Sequence, residues 1–160
     1  MKGMDLMNLS EKEVGVQNIF EFVEFRVGVS HFGIRISQVR EIIEPLPVTV
    51  IPHAPNFVKG IIQLRGDVLP LIDLKTIIGQ TELETEMATN KYIVVEFGQM
   101  TAALEVSDVM QIDRINKREI EPANEVYVAD ELPVSGVIKR SNEIVLLVEF
   151  EEMIIGKVNA

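Results

Sequence analysis

The fold is decided by the stretch Gly60-Ile-Ile-Gln-Leu-Arg-Gly-Asp-Val-Leu-Pro-Leu-Ile-Asp-Leu74. A second stretch, Gly136-Val-Ile-Lys-Arg-Ser-Asn-Glu-Ile-Val-Leu-Leu-Val-Glu-Phe150, aligns with it without a gap. Glycine meets glycine at the start, and most apolar positions coincide. Near the middle, Gly66 falls opposite Asn142, and these residue types most readily adopt positive φ in tight turns. Both stretches are therefore predicted to form the same β-hairpin.

The repeat continues upstream of both hairpins. Four apolar residues of the first half have the same spacing as four of the second half, namely Ile34, Ile36, Val39 and Ile42 against Leu104, Val106, Val109 and Ile112. In both sets the alternation expected of a half-buried strand breaks between the second and third member, which is a less common coincidence than alternation itself. Farther upstream, Val23-Glu24-Phe25 matches Val95-Glu96-Phe97. The chain is thus predicted to contain two copies of one five-stranded unit, joined by the polar residues 80–89; the alternative is two unrelated runs of strands.

Short apolar runs of period two, rich in Val, Ile and Phe, indicate an all-β fold. The first strand is predicted over Ile19–Val27, with a bulge near Phe22 to Glu24 because its apolar residues change face there. Short helices are expected at Ala54–Lys59, at Leu74–Ile78 and around residues 116–120. Because five short strands cannot bury both faces of an open sheet, each unit is predicted to close into a small barrel, with a groove between the two barrels.

Composition restricts the class of function. The chain has 160 residues, of which 47% are apolar and 25% are charged, as in an ordinary globular protein. It contains no cysteine, which excludes disulfides, thiolate metal sites and a cysteine nucleophile, and favours a reducing compartment. A formal net charge of −10 disfavours nucleic acid and anionic lipid as partners. No apolar run has the length of a signal peptide or of a membrane span, so we expect a cytoplasmic protein.

The sequence offers no catalytic motif. No phosphate-binding loop, metal-ligand cluster or nucleophile motif is found. His31 and His53 have no acidic or hydroxyl partner at triad-like spacing, so both are predicted to be surface histidines. Asp67 and Asp73 are separated by about 20 Å if they lie on one strand, which is too far for a glycosidase carboxylate pair. We therefore expect no catalytic residue, no metal and no cofactor, and an enzyme is the least favoured class.

Three segments are informative in combination. They are Val39-Arg-Glu-Ile-Ile43, then Ile51-Pro-His-Ala-Pro-Asn-Phe-Val-Lys-Gly60, then the hairpin 61–74 with its Leu-Arg-Gly turn. Together they resemble the CheW family, the coupling proteins of bacterial chemotaxis. The resemblance covers about residues 20–154. It implies two tandem five-stranded SH3-like β-barrels with a few short helices, in agreement with the repeat.

The resemblance also implies a division of the chain. A CheW-like domain is expected at 17–154, with a first barrel at about 20–80 and a second at about 90–150. Whether strands are exchanged between the barrels is left open. The residues before this domain, 1–16, are expected to be a flexible leader, and residues 155–160 a short tail.

By resemblance, the protein is an adaptor of a two-component system that binds the cytoplasmic tip of chemoreceptors and the regulatory domain of the histidine kinase CheA. That kinase domain is similar to this fold, so kinase and adaptor can alternate in rings. The adaptor is expected to be monomeric in isolation and recruited to receptor arrays at the inner face of the membrane, with no membrane insertion and no nucleic-acid partner. The alternative is a double-barrel domain that binds a small ligand or nucleic acid, which a basic groove or an aromatic stacking platform would favour. Gln63 stands where the family turn usually has Asn, so the receptor preference stays open.

The resemblance assigns receptor binding to Val39, Glu41, Gly60, Arg65 and Gly66. Glu41 and Arg65 would pair near the receptor-facing surface; otherwise they are two solvated charges on neighbouring strands. Val39 would be an apolar receptor contact or an ordinary core residue. The two glycines are most simply explained by a close backbone approach and by positive φ in a turn.

Overall fold

The computed structural model describes residues 18–78, 90–123 and 134–149. The predicted leader at 1–16, the tail at 155–160 and residues 80–89 lie outside these ranges. The described strands, in chain order, are β1 (Ile19–Val27), β2 (Ser30–Arg35), β3 (Val39–Ile43), β4 (Val58–Leu64), β5 (Asp67–Asp73), β6 (Lys91–Phe97), β7 (Met100–Val106), β8 (Asp108–Asn116), β9 (Ile120–Glu121), β10 (Val134–Lys139) and β11 (Ile144–Val148). The described helices are α1 (Leu74–Ile78) and the 3-10 helices Ile36–Gln38 and Lys117–Glu119.

These strands form two sheets. Sheet A has the order β8-β1-β2-β11-β10-β9, and sheet B has the order β3-β6-β7-β5-β4. In sheet A, Ile115 of β8 and Ile120 of β9 pack against the same apolar cluster, although they come from opposite edges of the sheet. In sheet B, Ile43 of β3 and Ile62 of β4 likewise share one cluster. Each sheet therefore curls around its own interior, and the predicted all-β fold of two small barrels is confirmed. Sheet B has the predicted five strands, but sheet A has six, because the short strand β9 pairs with β10 at its edge.

Each sheet takes strands from both halves of the chain. The chain leaves sheet A for sheet B at the 3-10 helix Ile36–Gln38, between β2 and β3, and returns to sheet A at Ser107, between β7 and β8. The alternation of apolar residues breaks at these two places in the sequence, so the shared irregularity marks the crossing points. Barrels made of residues 20–80 and 90–150 therefore do not describe the sheets, because the two halves exchange strands.

The β1–β2 and β6–β7 hairpins are equivalent. Each turns at a glycine with a φ of 61°, Gly28 in the first hairpin and Gly98 in the second. Counted from these glycines, Val23 corresponds to Ile93, and the pairing registers agree. The alignment of Val23 with Val95 was therefore wrong by two residues. It still placed the residue on the correct face, because side chains alternate along a strand with a period of two.

The two hairpins that decided the fold are confirmed. The β4–β5 pair has a register shift next to Gly60, and the β10–β11 pair has the same shift next to Gly136. Each hairpin docks in parallel on a strand from the other half of the chain, β5 on β7 and β11 on β2. The turns differ in backbone conformation. Gly66 has a φ of 88°, whereas Asn142 does not share the predicted positive φ.

The largest apolar cluster of the described residues lies between the two sheets. It contains fully buried side chains of sheet A, such as Phe25 and Val27, and of sheet B, such as Ile93 and Leu104. Full burial of a side chain of this kind contributes about 1.5–3 kcal/mol. The cluster therefore holds the barrels together, and side chains fill the centre of the junction where the sequence predicted a groove.

Two of the three predicted helices are confirmed. α1 forms at Leu74–Ile78, and the 3-10 helix Lys117–Glu119 begins after the capping residue Asn116. The helix predicted at Ala54–Lys59 is wrong, because a single turn in this segment leads directly into β4. Strand β1 has the predicted bounds, and its register shift against β8 lies between Glu24 and Phe25, at the end of the predicted bulge. The extra residue, however, is Met110 of β8 and not a residue of β1.

Candidate functional site

An ion pair links the tip of the β4–β5 hairpin to β3. Arg65, in the hairpin turn, donates a hydrogen bond from Nη1 to Oε2 of Glu41 at 2.5 Å. The Arg65 side chain is 67% exposed and that of Glu41 is 22% exposed, so the pair lies at the surface. Because β3 and β4 are the two edges of sheet B, this contact crosses the line along which the barrel closes. The structure thus brings together the two charged residues of the predicted receptor site.

Arg65 has a backbone conformation that its residue type disfavours. Its φ is 49° and that of Gly66 is 88°, the pattern of a type I′ hairpin turn. Asn, Asp or Gly usually occupies the first position of such a turn, because a larger side chain is strained at positive φ. Arginine gains the hydrogen bond to Glu41, which holds the pKa of that carboxyl below its usual range. Backbone strain retained at a charged surface residue favours a binding role for it.

The other three predicted residues have roles in the fold. Val39, at the start of β3, is half-buried and packs against the cluster between the sheets. Gly60 is buried, and a Cβ at this position would lie 2.4 Å from the carbonyl oxygen of Thr49. Gly66 has open space around it and is required by its positive φ. Gly60 lies about 16 Å along β4 from Arg65, at 3.3 Å per residue, so it is remote from the ion pair.

A groove runs along β4 and β5 next to the ion pair. Its walls include Gln63, the residue that departs from the family pattern, and Val68, which is 59% exposed. Its remaining lining residues are Pro47, Thr49, Ile61 and Ile62. The groove therefore offers a mixed surface, with polar groups among the aliphatic side chains of Ile61, Ile62 and Val68, beside the Glu41–Arg65 pair.

Exposed aliphatic side chains occur at equivalent positions of the two barrels. Ile42 of β3 is 42% exposed, and its counterpart in β8, Ile112, is 61% exposed. Val68 of β5 has the counterpart Ile144 of β11, which is 41% exposed. The sequence alignment already matched these positions, but it could not separate exposed aliphatic residues from core residues. Each barrel thus presents the same pair of apolar positions to solvent.

A second charged cluster lies inside the barrel of sheet A. Glu24 is 2% exposed; its Oε2 lies 2.9 Å from Nδ1 of His31, and its Oε1 accepts a hydrogen bond from Arg140. Arg140 also donates to Asp113 and to Glu143. The prediction that His31 is a surface histidine is wrong, because its side chain is only 20% exposed and its ring nitrogens face Glu24 and Glu143. Spacing along the sequence could not reveal this cluster, because strands far apart in the chain supply its members.

The cluster is paired internally. Glu24, His31 and Glu143 could offer three ligand atoms within 4.8 Å of one another to a metal ion. The guanidinium of Arg140, however, contacts both carboxylates and already supplies positive charge. Burial alone would raise the pKa of Glu24, but the hydrogen bonds from His31 and Arg140 outweigh it and lower that pKa. The arrangement is that of an ionic network whose members pair with one another across β1, β2, β8 and the β10–β11 hairpin.

The chain matches a protein family and several of its members. A family model for the CheW-like domain matches residues 21–156. The chain belongs to the CheW family. It is 33% identical over 134 residues to the chemotaxis protein CheW of Rhizobium meliloti, which covers 83% of this chain and 86% of the relative. It is 32% identical over 136 residues to CheW of Klebsiella aerogenes, which covers 84% of this chain and 81% of the relative.

A solved structure of the CheW family has the same fold. The crystal structure of the scaffolding protein TtCheW from Thermoanaerobacter tengcongensis matches with a TM-score of 0.76 and 29% sequence identity. The match covers 84% of this chain and 91% of that one. None of the helices in the described part of the chain has the length and apolar character needed to traverse a bilayer.

Proposed function

We propose that the protein is a chemotaxis coupling adaptor that holds a chemoreceptor and a CheA-type histidine kinase in one complex, in the cytoplasm, without catalysing a reaction. Membership of the CheW family supports this class of function, since relatives are named chemotaxis protein CheW and a structural neighbour is a scaffolding protein. The observation that carries the bridging role is the duplication of exposed aliphatic positions on the two barrels. Two similar docking faces on one molecule allow two partners to be held at once.

The receptor is proposed to bind at the face formed by the Glu41–Arg65 pair and the adjacent groove. The cytoplasmic tip of a chemoreceptor is a helical hairpin, and an amphipathic helix can place its apolar side in a groove while its polar side contacts charged residues. Gln63 and Val68 supply the groove, and Arg65 supplies an exposed charge in the adjacent turn. Gly66 permits that turn. In this proposal Val39 and Gly60 act by shaping β3 and β4 rather than by direct contact.

The kinase is proposed to bind through the aliphatic positions of the sheet A barrel. The regulatory domain of a CheA-type kinase is similar to this fold, so two barrels would meet edge to edge. Ile112 of the edge strand β8 is 61% exposed and Ile144, at the start of β11, is 41% exposed, and burial of these side chains at such an interface is favourable. Differential contacts with the active and inactive states would then bias the kinase.

The receptor face is tested by charge reversal. Glu41→Arg and Arg65→Glu should each weaken binding to a receptor hairpin fragment in calorimetry, because each places like charges next to one another. The double variant should recover binding, because the ion pair is restored in reverse. The matched control is the reversal of Lys139 and Glu121, an exposed pair at 3.4 Å on the other barrel, which should leave receptor affinity unchanged. Single variants that bind like the wild type would contradict the proposed face, and a double variant without recovery would contradict pairing.

The bridging role is tested by co-sedimentation with receptor-containing membranes. The kinase should sediment with these membranes only when the chain is present. Ile112→Asp should release the kinase while the chain itself still sediments, and Glu41→Arg should release both. If Ile112→Asp and the wild type retain equal amounts of kinase, the proposed kinase face is wrong. If the kinase sediments equally well without the chain, the bridging role is wrong.

A further inference from the structure

Three charged residues inside the barrel of sheet A occupy positions that are apolar in the other barrel. The strand registers match Glu24 with Val94, Arg140 with Leu64 and Asp113 with Ile43. Val94 is fully buried, and Leu64 and Ile43 pack against the small apolar cluster that contains it. One barrel thus closes with three aliphatic side chains. The other closes with an acid, a base and an acid, called here the charged triad.

Stability alone does not explain the charged triad. Glu24 is 2% exposed, and the side chains of Arg140 and Asp113 are 23% and 30% exposed, so all three are at least half-buried. Replacing a buried ion pair by well-packed apolar residues is often neutral or stabilising, whereas removing one partner is strongly destabilising. The other barrel of this same chain shows that aliphatic residues fit these positions. The presence of these charges therefore needs an explanation other than stabilisation of the barrel.

The fold contains two similar hairpins and two similar barrels, and charges can determine which hairpin docks in which barrel. The β4–β5 and β10–β11 hairpins share their sequence pattern, their register shift at a glycine and their parallel docking on a strand of the other half. Each follows a long segment of the chain, residues 44–57 and 122–133 respectively. About a dozen residues can span at most roughly 40 Å when extended. Each hairpin thus carries the same backbone features for docking as the other.

We propose that the charged triad selects which hairpin closes which barrel. If β4–β5 docked on β2, Leu64 would face Glu24 and Asp113, so buried Glu24 would keep only His31 as a partner and Asp113 would lose Arg140. If β10–β11 docked on β7, Arg140 would lie against Val94 and keep only Glu143, which belongs to its own hairpin. Each exchange thus removes the ion pairs of Arg140 with Glu24 and Asp113, which the observed docking forms. The triad therefore excludes exchange of the hairpins within the chain and their swapping between copies.

The test gives the sheet A barrel the residues of its counterpart in the full-length chain. The variants are Glu24→Val with Arg140→Leu, and the same pair with Asp113→Ile added. Both should fold, and the variant that also carries Asp113→Ile should have a urea midpoint equal to or above that of the wild type. After refolding, however, they should show a second set of backbone amide signals in NMR or a hairpin-swapped dimer in size-exclusion chromatography. The ratio of this second species to the native one should rise roughly a hundredfold, because the misassembled form of the variants no longer contains a buried Glu24 that has lost Arg140.

A control removes another ion pair with a buried carboxylate. Lys59 contacts Glu105 at 2.9 and 3.1 Å, and Glu105 is 8% exposed. Lys59→Met with Glu105→Leu should refold to one species, because neither residue belongs to the charged triad. The proposal is overturned if the triad variants refold to one species, as the wild type does. It is also overturned if both fail to fold, because the charges would then be required for cohesion.

Discussion

Gly60→Ala should destabilise the protein more than the equivalent change at Gly136. A Cβ at Gly60 would lie 2.4 Å from the carbonyl oxygen of Thr49, a backbone atom that cannot rotate away. The backbone of Thr49 forms a β-bridge with Ile61. The Thr49 carbonyl accepts a hydrogen bond from the Ile61 N–H at 2.8 Å, and the Thr49 N–H donates one to the Ile61 carbonyl at 2.9 Å. At Gly136 the nearest atom is a side-chain methyl of Ile120, at 2.5 Å, and the nearest backbone oxygen is 3.4 Å away. A side chain can adjust at lower cost than a backbone bridge.

The magnitude follows from these contacts. Overpacking typically costs about 1–3 kcal/mol, and each of the two bridge hydrogen bonds contributes about 0.5–1.5 kcal/mol. The lower conformational freedom of alanine in the unfolded chain returns about 0.4–1 kcal/mol. We expect a loss of about 2–4 kcal/mol for Gly60→Ala, which corresponds to a fall in Tm of roughly 5–15 °C for a chain of this size. For Gly136→Ala we expect about half of that loss or less.

The assay is urea denaturation of both variants and the wild type, followed by circular dichroism, with thermal unfolding as a second measure. Well below its unfolding midpoint, Gly60→Ala should weaken binding of the receptor fragment less than Glu41→Arg does, because Gly60 is remote from the Glu41–Arg65 pair and acts only on the Thr49–Ile61 bridge that lines the groove. Equal midpoints for the Gly60 and Gly136 variants would refute the reasoning from the Thr49 contact. A loss of binding as large as that of Glu41→Arg in a fully folded Gly60→Ala would refute the indirect role assigned to Gly60.

Further predictions concern the charged residues and the groove. Because the pKa of Glu24 is lowered in the folded state, the stability it contributes is present above the ordinary glutamate value of roughly 4.3 and is lost as the pH falls through the folded-state pKa; the urea midpoint should fall in that acidic window, and less steeply in Glu24→Gln. Ile72→Ala should cost about 2–5 kcal/mol in the same assay, because Ile72 is fully buried in the cluster between the sheets. Gln63→Asn should leave the urea midpoint within about 0.5 kcal/mol of the wild type but shift affinity between receptor fragments in calorimetry; identical affinities for every fragment would contradict a role of the groove in receptor preference.

Local pattern predicted the hairpins but not their partners. The Gly60–Leu74 stretch and its copy contain the turn, the glycine and the alternation that define a hairpin, and these signals act between neighbours in the chain. Which sheet a hairpin joins depends on docking between β5 and β7 or between β11 and β2, which no local pattern records. The break in alternation near Ile36 was visible in the sequence. That it marks a crossing between sheets became clear only from the topology.

Strand β1 shows why the charged triad was missed. Its apolar residues were interpreted as changing face at a bulge, but both faces of the strand are buried. Phe22 lies in the cluster inside the sheet A barrel, while Val23 and Phe25 lie in the cluster between the sheets. Glu24, between them in sequence, has the appearance of a solvent-facing residue and is in fact inside the barrel. By contrast, the pairing of Glu41 with Arg65 came from the family resemblance, since nothing in their spacing brings a turn next to β3.

The most direct test of the central claim, that this chain couples a receptor to a kinase, is the rate of ATP-dependent autophosphorylation of the CheA-type kinase in receptor-containing membranes. Adding the chain should change that rate in proportion to the concentration of the chain until its binding sites are saturated. The Glu41→Arg and Ile112→Asp variants should be folded, and each should leave the rate unchanged. A rate that is the same at every concentration of the folded wild-type chain, with receptor and kinase from the organism that encodes it, would contradict the account.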